Sequence, residues 1–207
     1  MANILHVQAS PRGRQSVSTQ VADSFLNAYR QGHSDAKIDL LDVFAEDVPE
    51  FTAPAATAKY AILVGSKPGG AAAAAWERVI EVVDRLKVAE LIVISSPMWN
   101  FSIPYRLKQW IDVIVQPGLT FTFSPEQGYR PLLLAKTAVL ILTRGGEYGD
   151  GGEMDMQTPY LRAVLGFVGI TDIHMIIIEP TLAGGAKVSR EKLQQAIARA
   201  EALAKKL

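Results

Sequence analysis

Residues 91–115 read LIVISSPMWNFSIPYRLKQWIDVIV, and this stretch decides the fold class. The apolar run Leu91–Ile94 is typical of a strand that is buried on both faces of a sheet. A loop bounded by Pro97 and Pro104 follows it. The apolar spacing from Pro104 to Val115 then predicts a helix that begins at a proline. Strand, loop and helix in this order form the repeating unit of parallel α/β sheets.

The same alternation of strand and helix patterns continues on both sides of this stretch. Further strands are predicted at Ile4–Val7, Ile38–Val43, Ala138–Leu142 and Ile173–Ile178, and further helices at Gln20–Arg30, Trp76–Leu86, Pro159–Val168 and after Ser189. A TIM barrel would need eight such units and about 250 residues. We therefore expect an α/β fold with a doubly wound, five-stranded parallel sheet, right-handed crossovers and helices on both faces.

Three connecting segments allow more than one interpretation. Ala61–Gly65 fits either a short strand or a helical turn. Thr120–Phe123 favours extended structure and predicts a small ribbon. Gly69–Ala75 is a run of glycine and alanine without a complete nucleotide-binding pattern, and we interpret it as a connection into the helix at Trp76.

Composition excludes several classes of function. The 207 residues contain 21 Lys+Arg and 21 Asp+Glu, so no basic excess indicates a nucleic-acid partner. The chain has no cysteine, which excludes disulfides and thiolate metal sites. His6, His33 and His174 lack metal-ligand spacing, so no metal is expected. The N-terminus lacks a secretion signal, and no apolar run approaches the roughly 20 residues that span a bilayer. We expect a cytoplasmic protein without a membrane partner.

The loop after the first predicted strand has the features of a phosphate site. Residues 9–18 carry the hydroxyls of Ser10, Ser16 and Ser18 together with a glycine, and they lead into a helix. Backbone N–H groups and the dipole at a helix N-terminus attract anions. The alternative is that Ser18 only caps the helix and the rest is a surface loop. Neither the Walker A pattern nor G-x-G-x-x-G is present, which disfavours an ATPase or a Rossmann dinucleotide site.

Two more strand ends are compatible with a ligand, which binds beyond the carboxyl ends of the strands in such a sheet. Met98–Phe101 places three large apolar side chains and one amide between two prolines, which suits a flat heteroaromatic ligand. Packing into the core is the alternative. Thr143–Gly146 ends in paired glycines, which let a backbone approach a ligand closely. A turn with positive φ is the alternative here.

The motifs at these loops resemble the FMN-dependent NADH-azoreductases, which belong to the wider NAD(P)H:quinone oxidoreductase group of flavodoxin-like proteins. The matching runs are Pro97–Pro104, Leu107–Asp112, Gly118–Phe121, Ser10 with Ser16–Ser18, Thr143–Gly146, Thr158–Leu161 and Leu165–Phe167. The resemblance covers nearly the whole chain and weakens at Phe44–Ala75 and over the last helix. It implies that residues 1–207 form a single flavodoxin-like, FMN-binding domain.

The resemblance also implies roles for individual residues. Non-covalent FMN would be held at its phosphate by Ser10, Ser16, Val17 and Ser18, along its ring and ribityl chain by Met98, Trp99, Asn100 and Phe101, and at its pyrimidine end by Thr143, Arg144, Gly145 and Gly146. The family is homodimeric, and Phe121 and Phe167 would roof the substrate pocket of the partner. Trp99 stands where the family usually has Tyr, and Thr143 where it usually has Ser.

The activity implied by the resemblance is the passage of two electrons from NADH or NADPH through flavin N5 to quinones and azo compounds. The mechanism would be ping-pong, and no side chain would be catalytic because the flavin carries the chemistry. Two alternatives remain open from the residues. One is a flavodoxin-type electron carrier without its own NAD(P)H turnover, and the other is a regulatory or scaffold protein that has lost the flavin.

Overall fold

The computed structural model describes residues 2–207 and contains a five-stranded sheet, a separate hairpin and six α-helices in that part of the chain. The sheet strands are β1 (Asn3–Gln8), β2 (Lys37–Asp42), β3 (Leu91–Pro97), β6 (Thr137–Thr143) and β7 (Asp172–Ile178), and the hairpin strands are β4 (Phe121–Ser124) and β5 (Gly128–Pro131). The helices are α1 (Val17–Gly32), α2 (Ala53–Leu63), α3 (Gly70–Val88), α4 (Tyr105–Ile114), α5 (Gln157–Val168) and α6 (Gly185–Ala204).

The sheet is parallel throughout and has the order β2-β1-β3-β6-β7. The chain moves outward from β1 to β2 and then returns past β1 to β3, so the order of the strands reverses between β1 and β3. In doubly wound sheets the crevice at this reversal, beyond the carboxyl ends of the strands, is where ligands bind.

Alternate residues of each central strand enter two separate cores. Leu5 and Ile92 point into a core that is shared with α3, α4 and α5, whereas Ile4 and Val93 point into one that is shared with α1 and α6. Because both faces are covered, the central strands lack the polar alternation of a half-exposed sheet. This burial explains why apolar runs were the correct signal for the strands.

The predicted fold class is confirmed, and the ribbon expected at Thr120–Phe123 is β4. Of the alternatives for Ala61–Gly65, the helical one is correct, since α2 runs to Leu63. The interpretation of Gly69–Ala75 as a connection is wrong from Gly70 onward, where α3 begins. The last helix begins at Gly185 and not after Ser189. No helix in residues 2–207 combines the length and apolarity needed to cross a membrane.

Candidate functional site

A cleft of about 460 Å³ opens at the carboxyl ends of β1, β3, β6 and β7. It is lined by Ser10, Pro11, Arg12, Gln15, Ser16, Val17, Pro97, Met98, Trp99, Thr143, Gly145, Thr181, Leu182 and Ser189. These residues come from four segments that are far apart in the chain, each a loop with the adjoining ends of its strand or helix, and the strand order brings them together. The cleft therefore lies where the topology predicts a ligand.

The loop between β1 and α1 leaves several hydrogen-bond donors without acceptors. Gly13 has φ +51 and begins a single 3-10 turn that leads the chain to the N-terminus of α1. Within residues 2–207, the backbone N–H groups of Val17, Ser18 and Thr19 have no acceptor. The first N–H groups of a helix require partners from outside it, and an anion satisfies them well.

The serine hydroxyls of this loop face each other and leave the helix uncapped. Ser16 Oγ lies 3.0 Å from Ser18 Oγ, and the Ser16 side chain makes no capping hydrogen bond. Ser18 is the second residue of α1 and is fully buried. The alternative that Ser18 is only the helix cap is therefore wrong. Ser16 reaches the cleft, while Ser18 lies behind it.

The loop after β3 forms a tight turn with an unusual backbone. Trp99 and Ser102 exchange N–H···O bonds of 2.9 and 3.0 Å, and the central residues Asn100 and Phe101 have φ values of 47° and 71°. Positive φ at both central positions is the geometry of a type I′ turn, and it is costly for a residue as bulky as phenylalanine. Backbone strain of this kind concentrates at binding sites.

The aromatic side chains of this turn face outward. Trp99 is 37% exposed and Phe101 43% exposed, so core packing does not explain them. Trp99 packs with the rings of Phe44 and Tyr105, at centroid distances of 5.7 and 6.4 Å. The Trp99 ring is therefore held as one apolar wall of the cleft and is available to cover a flat ligand.

A second hollow, of about 530 Å³, is also bordered by Trp99 and includes Asn100, Tyr105, Lys108 and Tyr160. Lys108 forms an ion pair with Asp112 at 2.6 Å. Burial, together with the nearby charge of Asp112, raises the pKa of Tyr160 to about 12, so its phenol keeps its proton at neutral pH. This hollow can accept an apolar molecule beside the main cleft.

The end of β6 supplies a second set of backbone donors. Thr143 and Gly145 line the cleft, and the N–H groups of Gly145 and Gly146 have no acceptor within the described chain. Neither glycine has a positive φ, so the alternative of a positive-φ turn is wrong. A Cβ at Gly145 would lie 3.2 Å from Leu182 Cδ1, which leaves little room for a side chain.

The side chain of Arg144 does not face the cleft. It is fully buried, with its guanidinium 2.8 Å from Asp155 Oδ2 and 2.5 Å from Thr158 Oγ1. It also donates to the carbonyl oxygen of Gly149 at 2.8 Å. We expected Arg144 to contact a ligand directly, but its side chain makes all of these contacts within the protein and does not reach the cleft.

The structure brings many of the expected site residues together, though not all of them. Ser10, Ser16, Val17, Met98, Trp99, Thr143 and Gly145 line the cleft. Ser18, Asn100, Phe101, Arg144 and Gly146 lie in the same loops but outside its lining. Phe121 and Phe167 contact each other edge to face at 5.0 Å, on the hairpin and α5, and they do not line this cleft.

Sequence reasoning missed the contribution of the β7–α6 connection. Thr181 and Leu182 of this connection line the cleft, together with Ser189 of α6. Thr181 N and Leu182 N donate to the carbonyl oxygens of Arg144 and Gly145, at 2.8 and 3.0 Å, which fixes the two loops together. The rule that pointed to the other strand ends applies equally to the residues after Ile178, so the signal was present in the sequence.

His6 lies in the sheet beneath α1 and is a structural residue. It is 2% exposed, and its Nε2 lies 2.9 Å from Ser95 Oγ. Burial, only partly opposed by the charge of Asp42, lowers the pKa of His6 to about 4. The imidazole is therefore neutral at physiological pH and makes no charged contribution to the cleft.

Comparisons with known proteins agree with this geometry. A family model described as a flavodoxin-like fold matches residues 2–204. An FMN-dependent NADH:quinone oxidoreductase of Nitratidesulfovibrio vulgaris is 44% identical over 207 residues, covering 99% of both chains. One from Desulfotalea psychrophila is 43% identical over 210 residues, covering 100% of this chain and 98% of the relative.

Solved structures show the same likeness. An azoreductase of Bacillus anthracis superimposes with a TM-score of 0.89 at 27% identity and full coverage of both chains. An FMN-dependent NADH-azoreductase of the same species, in complex with FMN, gives 0.83 at 25% identity, with 99% of this chain and 100% of that chain covered. The chain belongs to the flavodoxin-like family and, within it, to the family of the FMN-dependent NADH:quinone oxidoreductases.

Proposed function

We propose that this protein binds FMN non-covalently as a single domain and transfers two electrons from NADH or NADPH to quinones and azo compounds. The observation that carries the proposal is the cleft itself, where unpaired helix N–H groups lie at one end and an aromatic wall at the other. The FMN-dependent NADH:quinone oxidoreductases that resemble this chain, one of them 44% identical over 99% of both chains, agree with it.

The donor set of the β1–α1 loop fits a phosphate. Three N–H groups at the start of α1 lack acceptors within the described residues, and Ser10 and Ser16 add hydroxyls that reach the cleft. Arg12 lines the same end and supplies a positive charge. A phosphate dianion would accept hydrogen bonds from these N–H and O–H groups, and such charge-assisted hydrogen bonds are stronger than those between neutral groups.

The other end of the cleft fits a flat ring system. Met98 and Trp99 provide apolar cover, Gly145 lines the same cleft, and the N–H groups of Gly145 and Gly146 have no acceptor within the described residues, so they would be free to bind the polar edge of such a ring. The volume of about 460 Å³ lies within the roughly 300–1,000 Å³ that ligand sites usually have. The residues therefore fit FMN at both its charged and its apolar end.

Bound FMN would supply the two-electron chemistry, and the protein would supply binding, orientation and electrostatics. The N–H groups of Gly145 and Gly146, which have no acceptor within the described residues, would stabilise negative charge at the polar edge of a bound ring. Trp99 would shield one face of the bound ring from water, and the acceptor would lie against the opposite face. We expect reductant and acceptor to use this space in turn, which makes the mechanism ping-pong.

Assembly into a homodimer is part of the proposal. The β4–β5 hairpin and α5 expose aromatic side chains, among them Phe123 at 47%, Tyr129 at 61% and Phe167 at 38%. Exposed apolar groups in such a cluster are typical of association surfaces. Phe121 and Phe167 would then roof the cleft of the partner subunit. Because NADH and NADPH are cytoplasmic reductants, we place the protein in the cytoplasm.

A flavodoxin-type electron carrier is the main alternative. It would share the cleft but would not oxidise NAD(P)H by itself. Purified protein loaded with FMN should oxidise NADH steadily when a quinone such as menadione is supplied, with one equivalent of NADH consumed per equivalent of quinone. A protein that contains FMN yet gives no turnover with either NADH or NADPH would support the carrier instead.

A further inference from the structure

A buried ionic network lies behind the ring end of the cleft, and its centre is Arg144. The side chains of both Arg144 and Asp155 are 0% exposed, and the two are 2.8 Å apart. The guanidinium also reaches Thr158 Oγ1, the carbonyl oxygen of Gly149, Gln157 Oε1 and Glu179 Oε2, at distances from 2.5 to 3.4 Å. All five N–H groups of this side chain are thus directed at protein acceptors.

Both carboxylate oxygens of Asp155 also accept hydrogen bonds from the backbone. Its Oδ1 accepts the N–H groups of Gln157 and Thr158 at 3.0 and 2.9 Å, which caps α5, and its Oδ2 accepts the N–H of Gly151 at 3.0 Å. Burial would raise the pKa of Asp155, but the hydrogen bonds and the charge of Arg144 outweigh burial and hold it below the ordinary value. The Asp155 carboxylate therefore stays charged in the folded protein at neutral pH.

The network holds the 145–156 loop, and this loop supports the turn after β3. Tyr148 N and Gly149 N donate to the carboxylate of Glu179 at 3.0 and 3.1 Å. Met156 N donates to the carbonyl oxygen of Phe101 at 2.9 Å, and the rings of Tyr148 and Phe101 meet edge to face at 6.2 Å. Phe101, which has a positive φ, is therefore braced by a loop whose position depends on Arg144 and Asp155.

We propose that Arg144 and Asp155 are positioning residues for the ring end of the cleft. Without touching the ligand, they fix the backbone at Gly145 and Gly146 and the Asn100–Phe101 turn. The proposal rests on the proposed function, because it assigns these segments to the ring of a bound flavin. Arg144 and Asp155 should affect only the ring end of the cleft, because the phosphate end, on the β1–α1 loop, lies outside the network.

Two variants test this role, and one control matches them. Thr158→Val removes a single acceptor from Arg144, and Arg144→Lys keeps the charge but loses the planar fork. Arg162→Met is the control, because Arg162 joins the same loop through Asp150 by an ion pair at 3.1 Å in which both side chains are about half exposed. An exposed pair contributes little, so this change should leave the loop in place.

The first measurement is hydrogen exchange in the FMN-free protein, followed at the amides of Gly151 and Met156. Loss of a charged hydrogen bond should raise the equilibrium constant for local opening of the loop by roughly ten- to hundredfold. Exchange should therefore accelerate at least tenfold in Thr158→Val and Arg144→Lys and stay unchanged in Arg162→Met. Unchanged exchange in Thr158→Val would overturn the proposal, even where Arg144→Lys fails to fold. If the native protein binds no flavin, the proposed function is contradicted, but the exchange rates still test whether Arg144 and Asp155 hold the loop.

The second measurement separates positioning from general destabilisation. FMN and riboflavin share the ring and differ in the phosphate, so displacement of the ring end should weaken both by the same factor. Affinities for the two flavins should therefore fall together in the folded Thr158→Val protein, with their ratio unchanged from native. A loss confined to FMN, or unaltered affinity for both, would show that the network does not position the ring end.

Discussion

The phosphate end of the cleft gives the most quantitative test of the site. Ser16 lies at the N-terminus of α1, lines the cleft and contributes no helix cap. In Ser16→Ala a bound phosphate would lose one charge-assisted hydrogen bond while the helix keeps its N–H donors. A hydrogen bond to a charged group is worth about 1.5–3 kcal/mol, so the Kd for FMN should rise roughly ten- to hundredfold.

Ser18 and Ser24 provide graded controls on the same helix. Ser18 Oγ bonds Ser16 Oγ at 3.0 Å behind the cleft, so Ser18→Ala should weaken FMN by less, about 0.5–1.5 kcal/mol through loss of one neutral hydrogen bond. Ser24 donates to the carbonyl oxygen of Gln20 within α1, away from the loop. Ser24→Ala should leave FMN affinity unchanged.

The assay is titration of FMN-free protein with FMN and, separately, with riboflavin, followed by quenching of tryptophan and flavin fluorescence. Ser16→Ala should affect FMN alone, because riboflavin has no phosphate. An equal loss for both flavins in Ser16→Ala, or native protein that binds riboflavin as tightly as FMN, would refute the assignment of the phosphate to this loop.

Three further predictions address the aromatic wall, the kinetics and the pH dependence. Trp99→Tyr should retain flavin binding because an aromatic face remains, whereas Trp99→Ala should weaken both flavins by roughly 1 kcal/mol or more in the same titration; equal affinity in both variants would contradict the role of the ring. Initial rates at several fixed menadione concentrations should give parallel double-reciprocal lines, and Phe167→Ala should change the KM for the quinone more than the stopped-flow rate of flavin reduction by NADH; intersecting lines would indicate a ternary complex. The pKa of His6 is about 4 in the folded protein and 6.5 ordinarily, so the unfolded chain binds the proton more tightly. The stability of the folded state that depends on neutral His6 is therefore complete above pH 6.5 and is lost as the pH falls toward 4. Between pH 7.5 and pH 4.5 the free energy of urea unfolding should therefore fall by roughly 2–3 kcal/mol more in the native protein than in His6→Gln. Equal decreases in the two proteins would show that His6 is not the group responsible.

The central strands β3 and β6 were predictable because they are buried on both faces of the sheet and therefore carry continuous apolar runs. The helix α2 was not predicted, since Ala53–Leu63 has no apolar stripe and buries little beyond Ala55 and Ala58. Its helicity comes from alanine content and a proline in its first turn, which are weaker signals than amphipathic spacing. The alanine run at the start of α3 was misinterpreted for the same reason, because high helix propensity looked like low complexity.

Within the candidate site, the sequence could indicate which loops meet but not which way each side chain points. Strand ends and topology placed three of the four loops correctly. Arg144 lies directly after a strand and beside two glycines, a pattern equally suited to a ligand contact and to a buried brace. Its partners Asp155 and Thr158 are 11 and 14 residues further along, and only the folded loop brings them together. Long-range polar networks of this kind leave no local spacing to recognise.

The absorption spectrum of the purified, undenatured protein tests the central claim most directly, with the released chromophore then identified and quantified against protein. Flavin bands in the visible range and close to one FMN per chain, taken up again by the FMN-free protein, are the expected result. A colourless protein that cannot be reconstituted with FMN would contradict the account, as would a chromophore other than FMN.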